Sequence, residues 1–135
     1  MTEDFVLCTQ LAKDTHPVAD WALCSVRLFN DARFSWLVLV PRRPALCEWH
    51  DLAAPDRSLL AAEIGRASAG LKRVSAATKM NVGALGNIVA QFHVHVVGRH
   101  PGDAAWPRPV WGSGTPVPYE LTAMQELLER LRAGL

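Results

Sequence analysis

The chain has 135 residues, half of them hydrophobic, the size of a single domain spanning 1–135 that buries a core without disulfides or structural metals. Fourteen Lys and Arg against thirteen Asp and Glu leave a formal charge of +1, and no block of like charge exists, which excludes a general nucleic-acid or membrane-surface binder. Three scattered cysteines, Cys8, Cys24 and Cys47, form no CxxC pair. With an acidic start that lacks a signal region and no run of ~20 apolar residues, they predict a soluble cytoplasmic protein with reduced thiols.

Residues 5–20 open with Phe5, Val6 and Leu7 and turn polar, which predicts an irregular lead-in or one helical turn. Residues 21–29 (WALCSVRLF) predict a strand with Cys24, Val26 and Leu28 on one face and Ser25, Arg27 and Phe29 on the other, closed by a turn at Asn30 and Asp31. The apolar run 34–40 (FSWLVLV), stopped by Pro41, is the expected central strand. The short connection makes it antiparallel to its predecessor. A charged loop with two prolines follows.

From 55 to 79 the period changes: Leu60, Ile64, Ala67, Leu71, Val74 and Thr78 recur at helical spacing, and Pro55 sits where a helix start tolerates it. Gly65 and Gly70 weaken this main helix by about 1 kcal/mol each, which packing on a sheet offsets. Residues 80–87 (MNVGALGN) read as a short strand and a bend. The stretch 101–118 is too rich in proline and glycine for helix or central strand, and holds Trp106 and Trp111. Residues 119–132 form a terminal amphipathic helix on Leu121, Met124, Leu127, Leu128 and Leu131.

Residues 91–100 (QFHVHVVGRH) carry the chemistry. As a strand they put Phe92, Val94 and Val96 on a core face and Gln91, His93 and His95 on the other, spaced roughly 6.5 Å apart. Three readings of the histidines stay open on the residues alone. They are solvent-facing polar groups, two metal ligands that need a third, or a catalytic pair. The other imidazoles, His16, His50 and His100, have no persuasive ligand spacing and read as structural or exposed. For catalysis, one neutral imidazole serves as nucleophile while a neighbour carries a proton to a phosphate, with Arg99 as a nearby donor. Arg42 and Arg43 read as a solvated pair, and Trp106 and Trp111 as walls of a base pocket, interface residues or loop packing.

The small-residue loop with Gly86 and Asn87, followed by Q-x-H-V-H-V-V at 91–97, resembles the histidine triad (HIT) superfamily, whose signature is His-φ-His-φ-His-φ-φ with φ apolar. FNDARF, WLVLVPRR and GDAAWPRPVWG look like bacterial HIT-family hydrolases acting on nucleotides. The resemblance implies an α+β fold, an antiparallel sheet with one long packed helix and a C-terminal helix, paired as a homodimer. It also implies a nucleotide or dinucleoside polyphosphate partner, no required metal or cofactor, and cleavage at the α-phosphorus. His93 would attack to give a nucleotidyl-histidine, its second nitrogen oriented by a backbone carbonyl near His95, and His95 would contact phosphate or assist the leaving group. Asn87 would lie beside the phosphate, Asp31 with Asn30 at the ribose, and Asn81 nearby.

Gln91 departs from the pattern. An amide can donate to a phosphate oxygen but bears no charge and passes on no proton, so transition-state stabilisation there is expected to be weaker. The expectation is an active enzyme favouring good leaving groups. The alternatives are a nucleotide-binding module with little turnover and, third, a metal-dependent hydrolase.

Overall fold

The structure is a computed structural model and describes residues 4–135. A five-stranded antiparallel sheet in the order β1-β2-β3-β5-β4 carries the fold. Its strands are β1 (Thr15–Asp20), β2 (Cys24–Phe29), β3 (Ser35–Pro41), β4 (Lys79–Gly83) and β5 (Val94–Arg99). Helix α1 (Thr9–Asp14) precedes them, α2 (Ala54–Ser75) connects β3 to β4, and α3 (Leu121–Gly134) ends the chain. This is the α+β architecture the sequence predicts, with β3 in the middle.

Alternation along the strands sorts the core into two layers. Cys24, Val26, Leu28, Leu37, Leu39, Val94 and Val96 face α2 and α3, where Leu60, Ala67, Leu71, Leu128 and Leu131 close the layer. Trp36, Val38, Val40 and Val97 face the other way, beneath Leu11 of α1 and Ala105 and Val110 of the late loop. Helices thus cover one face, while a short helix and loops only partly cover the second. The cavity lies on that second face.

Several boundaries differ from expectation. The lead-in contains not a single turn but α1 followed by β1, an edge strand with a bulge between Pro17 and Ala19. Proline is tolerated there because an edge leaves N–H positions unpaired. Residues 21–23 are the hairpin turn between β1 and β2, not strand: the Trp21 N–H donates to the Cys24 carbonyl at 2.9 Å. Helix α2 stops at Ser75, capped by Ala76 in a left-handed conformation (φ 55°), so Thr78 lies outside it. Gly98 admits this close approach, since a Cβ there would lie 3.0 Å from both the Ala77 Cβ and the Ser75 Oγ.

Glu63, which belongs to no apolar stripe, is buried on α2 and accepts from the Leu23 and Cys24 amides at 2.9 and 2.8 Å. It locks the helix to the β1–β2 turn. Burial, reinforced by this carboxylate, pushes the Cys24 thiol well above its ordinary pKa, so it stays an inert core thiol. Among the described residues no helix is long and apolar enough to cross a membrane.

Candidate active site

Strand β5 begins at Val94, three residues later than the motif suggested, so Gln91 and His93 precede the ladder and only His95 lies within it. The two imidazoles still come together, with ring centroids 4.8 Å apart at 75°. They sit on the wall of a cavity of about 590 Å³, within the usual range for a small-molecule site. Phe29, Trp36 and Val38 form its floor, α1 contributes Gln10, Leu11 and Asp14, and the loops at 85–89 and 110–116 close the sides.

Each imidazole is held by a different kind of partner. His93 Nδ1 lies 2.6 Å from the backbone carbonyl of Gln91. A carbonyl only accepts, so the proton resides on Nδ1 and the lone pair on Nε2. His95 Nδ1 lies 3.0 Å from the indole Nε1 of Trp36, which only donates. Nδ1 therefore holds a lone pair and the His95 proton resides on Nε2. The orienting carbonyl expected near His95 belongs to Gln91, and the residue that fixes His95 is a tryptophan the sequence offered no reason to choose.

His95 is buried, and that burial, followed by the field of His93, pulls its pKa down to about 3. It is a neutral hydrogen-bond donor at physiological pH, not the protonated neighbour expected from an isolated imidazole. Trp36 and Trp111 pack edge-on to its ring, with centroids at 5.6 and 5.5 Å, and keep it dry.

The remaining expected site residues divide. Asn87 and Asp31 line the cavity with the two histidines. Asn30, Asn81, Arg99, Trp106 and Gln91 do not line it. Asn30 Oδ1 accepts from the Tyr119 amide at 3.0 Å and pins the approach to α3. Arg99 is buried at 1% exposure, because Asp103 takes its Nε and one terminal nitrogen at 2.8 and 2.9 Å and Asn81 Oδ1 takes the other at 2.9 Å. Trp106 flanks the same guanidinium, 5.7 Å from its ring centroid. The Asp103 carboxyl is held far below the ordinary carboxylate range, chiefly by its hydrogen bonds from Arg99. These contacts hold the guanidinium in the interior between sheet and loop, away from the cavity wall.

The Gln91 amide, expected beside a phosphate, points elsewhere. Its Oε1 accepts from the Cys8 amide and its Nε2 donates to the Val6 carbonyl, both at 2.8 Å. The physical reason is the late start of β5, since the alternation that would have aimed residue 91 with 93 and 95 applies only inside a strand.

Asp31 is fully buried and bound bidentately by Arg33, at 3.1 Å to Oδ1 and 2.9 Å to Oδ2. It also accepts from the Val117 amide, and Arg33 reaches the Ser113 carbonyl at 2.6 Å. The pair thus ties the 113–117 wall to the β2–β3 turn. An aspartate followed two residues on by arginine was the available signal. Arg33 is the only Lys or Arg on the cavity wall among the described residues, and it is already paired. No third His, Cys, Asp or Glu joins the two histidines in a metal-holding group among the described residues. His100 contacts the Ser75 carbonyl at 3.0 Å and His50 is exposed.

The family model described as HIT domain matches residues 10–102, most of the chain and both cavity histidines. The chain belongs to the HIT family. A histidine triad protein from Sinorhizobium meliloti is 42% identical over 97% of each chain, with a TM-score of 0.95. One from Bradyrhizobium japonicum is also 42% identical, over 98% of each chain, at 0.95. A third, from Marinobacter aquaeolei, is 39% identical over 98% of this chain and 97% of its own, at 0.96. Among curated proteins none matches. Of Gln91, His93 and His95 in this HIT chain, only the two histidines line the cavity.

Proposed function

We propose that this HIT protein is a nucleotide-binding hydrolase or nucleotidyl transferase that cleaves at the α-phosphorus of a substrate such as a dinucleoside polyphosphate, through a nucleotidyl-His93 intermediate. The observation that carries this reading is the opposed pair of hydrogen bonds, Gln91 carbonyl to His93 and Trp36 indole to His95. Together they leave a bare lone pair on His93 Nε2 and a fixed N–H on His95 Nε2.

The steps follow from those two atoms. The His93 Nε2 lone pair attacks phosphorus, a P–N bond forms, and the bond to the leaving oxygen breaks with its electron pair departing on the leaving group. The ring becomes cationic, and the Gln91 carbonyl accepting from Nδ1–H stabilises that charge. Water then attacks phosphorus, the P–N electron pair returns to Nε2, and the water proton passes to solvent. His95 donates a hydrogen bond to a phosphoryl oxygen throughout and keeps its proton, because losing it would leave an imidazolate. With no acid to protonate the leaving group, the site suits groups that depart as stable anions, as a polyphosphate does.

The apolar floor of Phe29, Trp36 and Val38 suits a base and sugar, and Asn87 stands on the wall as a polar contact for the phosphate. We further propose a homodimer working in a reducing cytoplasm. The exposed Val82 on edge strand β4, with Leu85 and Ile88 beside it, and three free thiols support this. A nucleotide-binding module with little turnover is the second reading. It is favoured by the diversion of the Gln91 amide and the pairing of Arg33.

Incubation with diadenosine tetraphosphate labelled at the α-phosphorus, quenched in base where a phosphoramidate survives, separates them. Label on wild type, absent from His93→Ala and indifferent to chelator, is expected. Binding without labelling supports the module, and turnover that a chelator abolishes contradicts both.

A further inference from the structure

We propose that residues 6–8 act as a strap that positions the nucleophile, with Gln91 as the positioning residue between strap and His93. The proposal rests on the reading of His93 as nucleophile and adds what holds it. Gln91 joins two hydrogen-bonded systems. Its side chain grips the strap twice, accepting from the Cys8 amide and donating to the Val6 carbonyl, each at 2.8 Å. Its main-chain carbonyl accepts from His93 Nδ1 at 2.6 Å.

Residue 91 lies outside β5, so no ladder bond orients that carbonyl. Two anchors replace the ladder. The 91–92 peptide plane carries the carbonyl on one edge and the Phe92 N–H on the other, and that N–H donates to the Leu46 carbonyl at 2.9 Å. The strap fixes the Cα end of the same unit through the side chain. The strap itself is held because Phe5, Leu7 and Cys8 pack against the second core layer.

The substitution of glutamine in the triad thus takes on a role. A glutamine offers one acceptor and two donors on a planar amide, which satisfies a backbone carbonyl and a backbone N–H of an extended segment at once, whereas a neutral imidazole has its donor and acceptor on opposed edges of a ring. The amide is spent on geometry, not on phosphate.

Cys8 allows the strap to be cut without touching the site. Its φ of −63° and ψ of 150° suit proline, so Cys8→Pro deletes the N–H that Gln91 Oε1 accepts while preserving the backbone path. Cys8→Ala keeps that N–H and controls for loss of the thiol, whose sulfur accepts from the Leu11 amide at 3.5 Å. Gln91→Ala cuts both strap bonds from the other side.

Because the Leu46 anchor remains, both cuts should lower kcat on diadenosine tetraphosphate by roughly three- to tenfold with KM held within about twofold, while Cys8→Ala behaves as wild type. ¹⁵N NMR should show His93 as a single Nδ1–H tautomer in wild type and Cys8→Ala, and as a mixture in Cys8→Pro and Gln91→Ala. An unchanged His93 tautomer in both cut variants overturns the proposal, even where kcat falls, since the loss is then merely structural. Tautomer mixing on cutting, in a protein whose wild type forms no nucleotidyl-His93, supports the strap and removes the nucleophile reading. If Gln91→Ala fails to fold, Cys8→Pro decides alone.

Discussion

The two ends of the histidine motif carry the same kinds of polar group and use them oppositely. At the start, His93 and His95 each spend one ring nitrogen on a fixed partner and leave the other free on a cavity wall. At the end, Arg99 spends Nε and both terminal nitrogens on Asp103 and Asn81 and is sealed at 1% exposure. Proximity to the motif does not separate the two regions. Access to the cavity does: the histidines line it, and Arg99 is buried away from it. Arginine near a histidine pair invites a phosphate-binding role, yet a guanidinium with its partners already in place holds loop to sheet.

Four changes sharpen that comparison. The largest effect belongs to the free lone pair: His93→Ala should lower turnover by about 10⁴-fold or abolish it, with an unchanged melting curve, as single-turnover kinetics beside a thermal melt would show. At the other end the pattern should invert. Arg99→Ala leaves the Asp103 carboxylate buried without its cation and should cost about 3–5 kcal/mol in denaturant unfolding. Whatever fraction remains folded should turn over within about threefold of wild type.

His95 gives the next effect, and its sign follows from its lowered pKa. The unfolded chain binds a proton below about 6.5, whereas the folded site resists until about 3, so stability falls as pH drops through that window and is unaffected above it. Melts across the window should show His95→Gln, which does not titrate, losing stability less steeply than wild type. The smallest effect concerns the indole. Trp36→Phe removes the donor to His95 Nδ1 while keeping most of the ring, and should lower kcat by about tenfold. It should also give the pH–rate profile a new acidic limb, because a freed Nδ1 can take up a proton.

The sequence made much of this legible, for identifiable reasons. Strand β3 is an unbroken apolar run and lies at the centre of the sheet, where both faces are covered. Helix α2 declared itself by spacing, and Phe92, Val94 and Val96 fell on the core face that alternation assigned to them. Strand β1 was hidden because Pro17 and a bulge break the pattern that alternation needs. The fate of Gln91 was hidden because its partners, Val6 and Cys8, lie more than eighty residues away and bind through backbone atoms, which no side-chain pattern records. Asp31 and Arg99 were singled out as polar residues near the chemistry. Their neighbours Arg33 and Asp103, two and four residues on, carried the signal that each was already paired. Trp36 was read only as part of an apolar run, since nothing local distinguishes an indole that packs from one that also donates.

On the proposed function the two imidazoles are held in opposite tautomers, one offering a lone pair to phosphorus and the other a proton to a phosphoryl oxygen. ¹⁵N NMR of histidine-labelled protein at neutral pH tests it most directly. His93 should appear as the Nδ1–H form and His95 as the neutral Nε2–H form, with a coupling between His95 Nδ1 and the Trp36 indole proton. A His95 that carries both protons at that pH, or a His93 with its proton on Nε2, would contradict it.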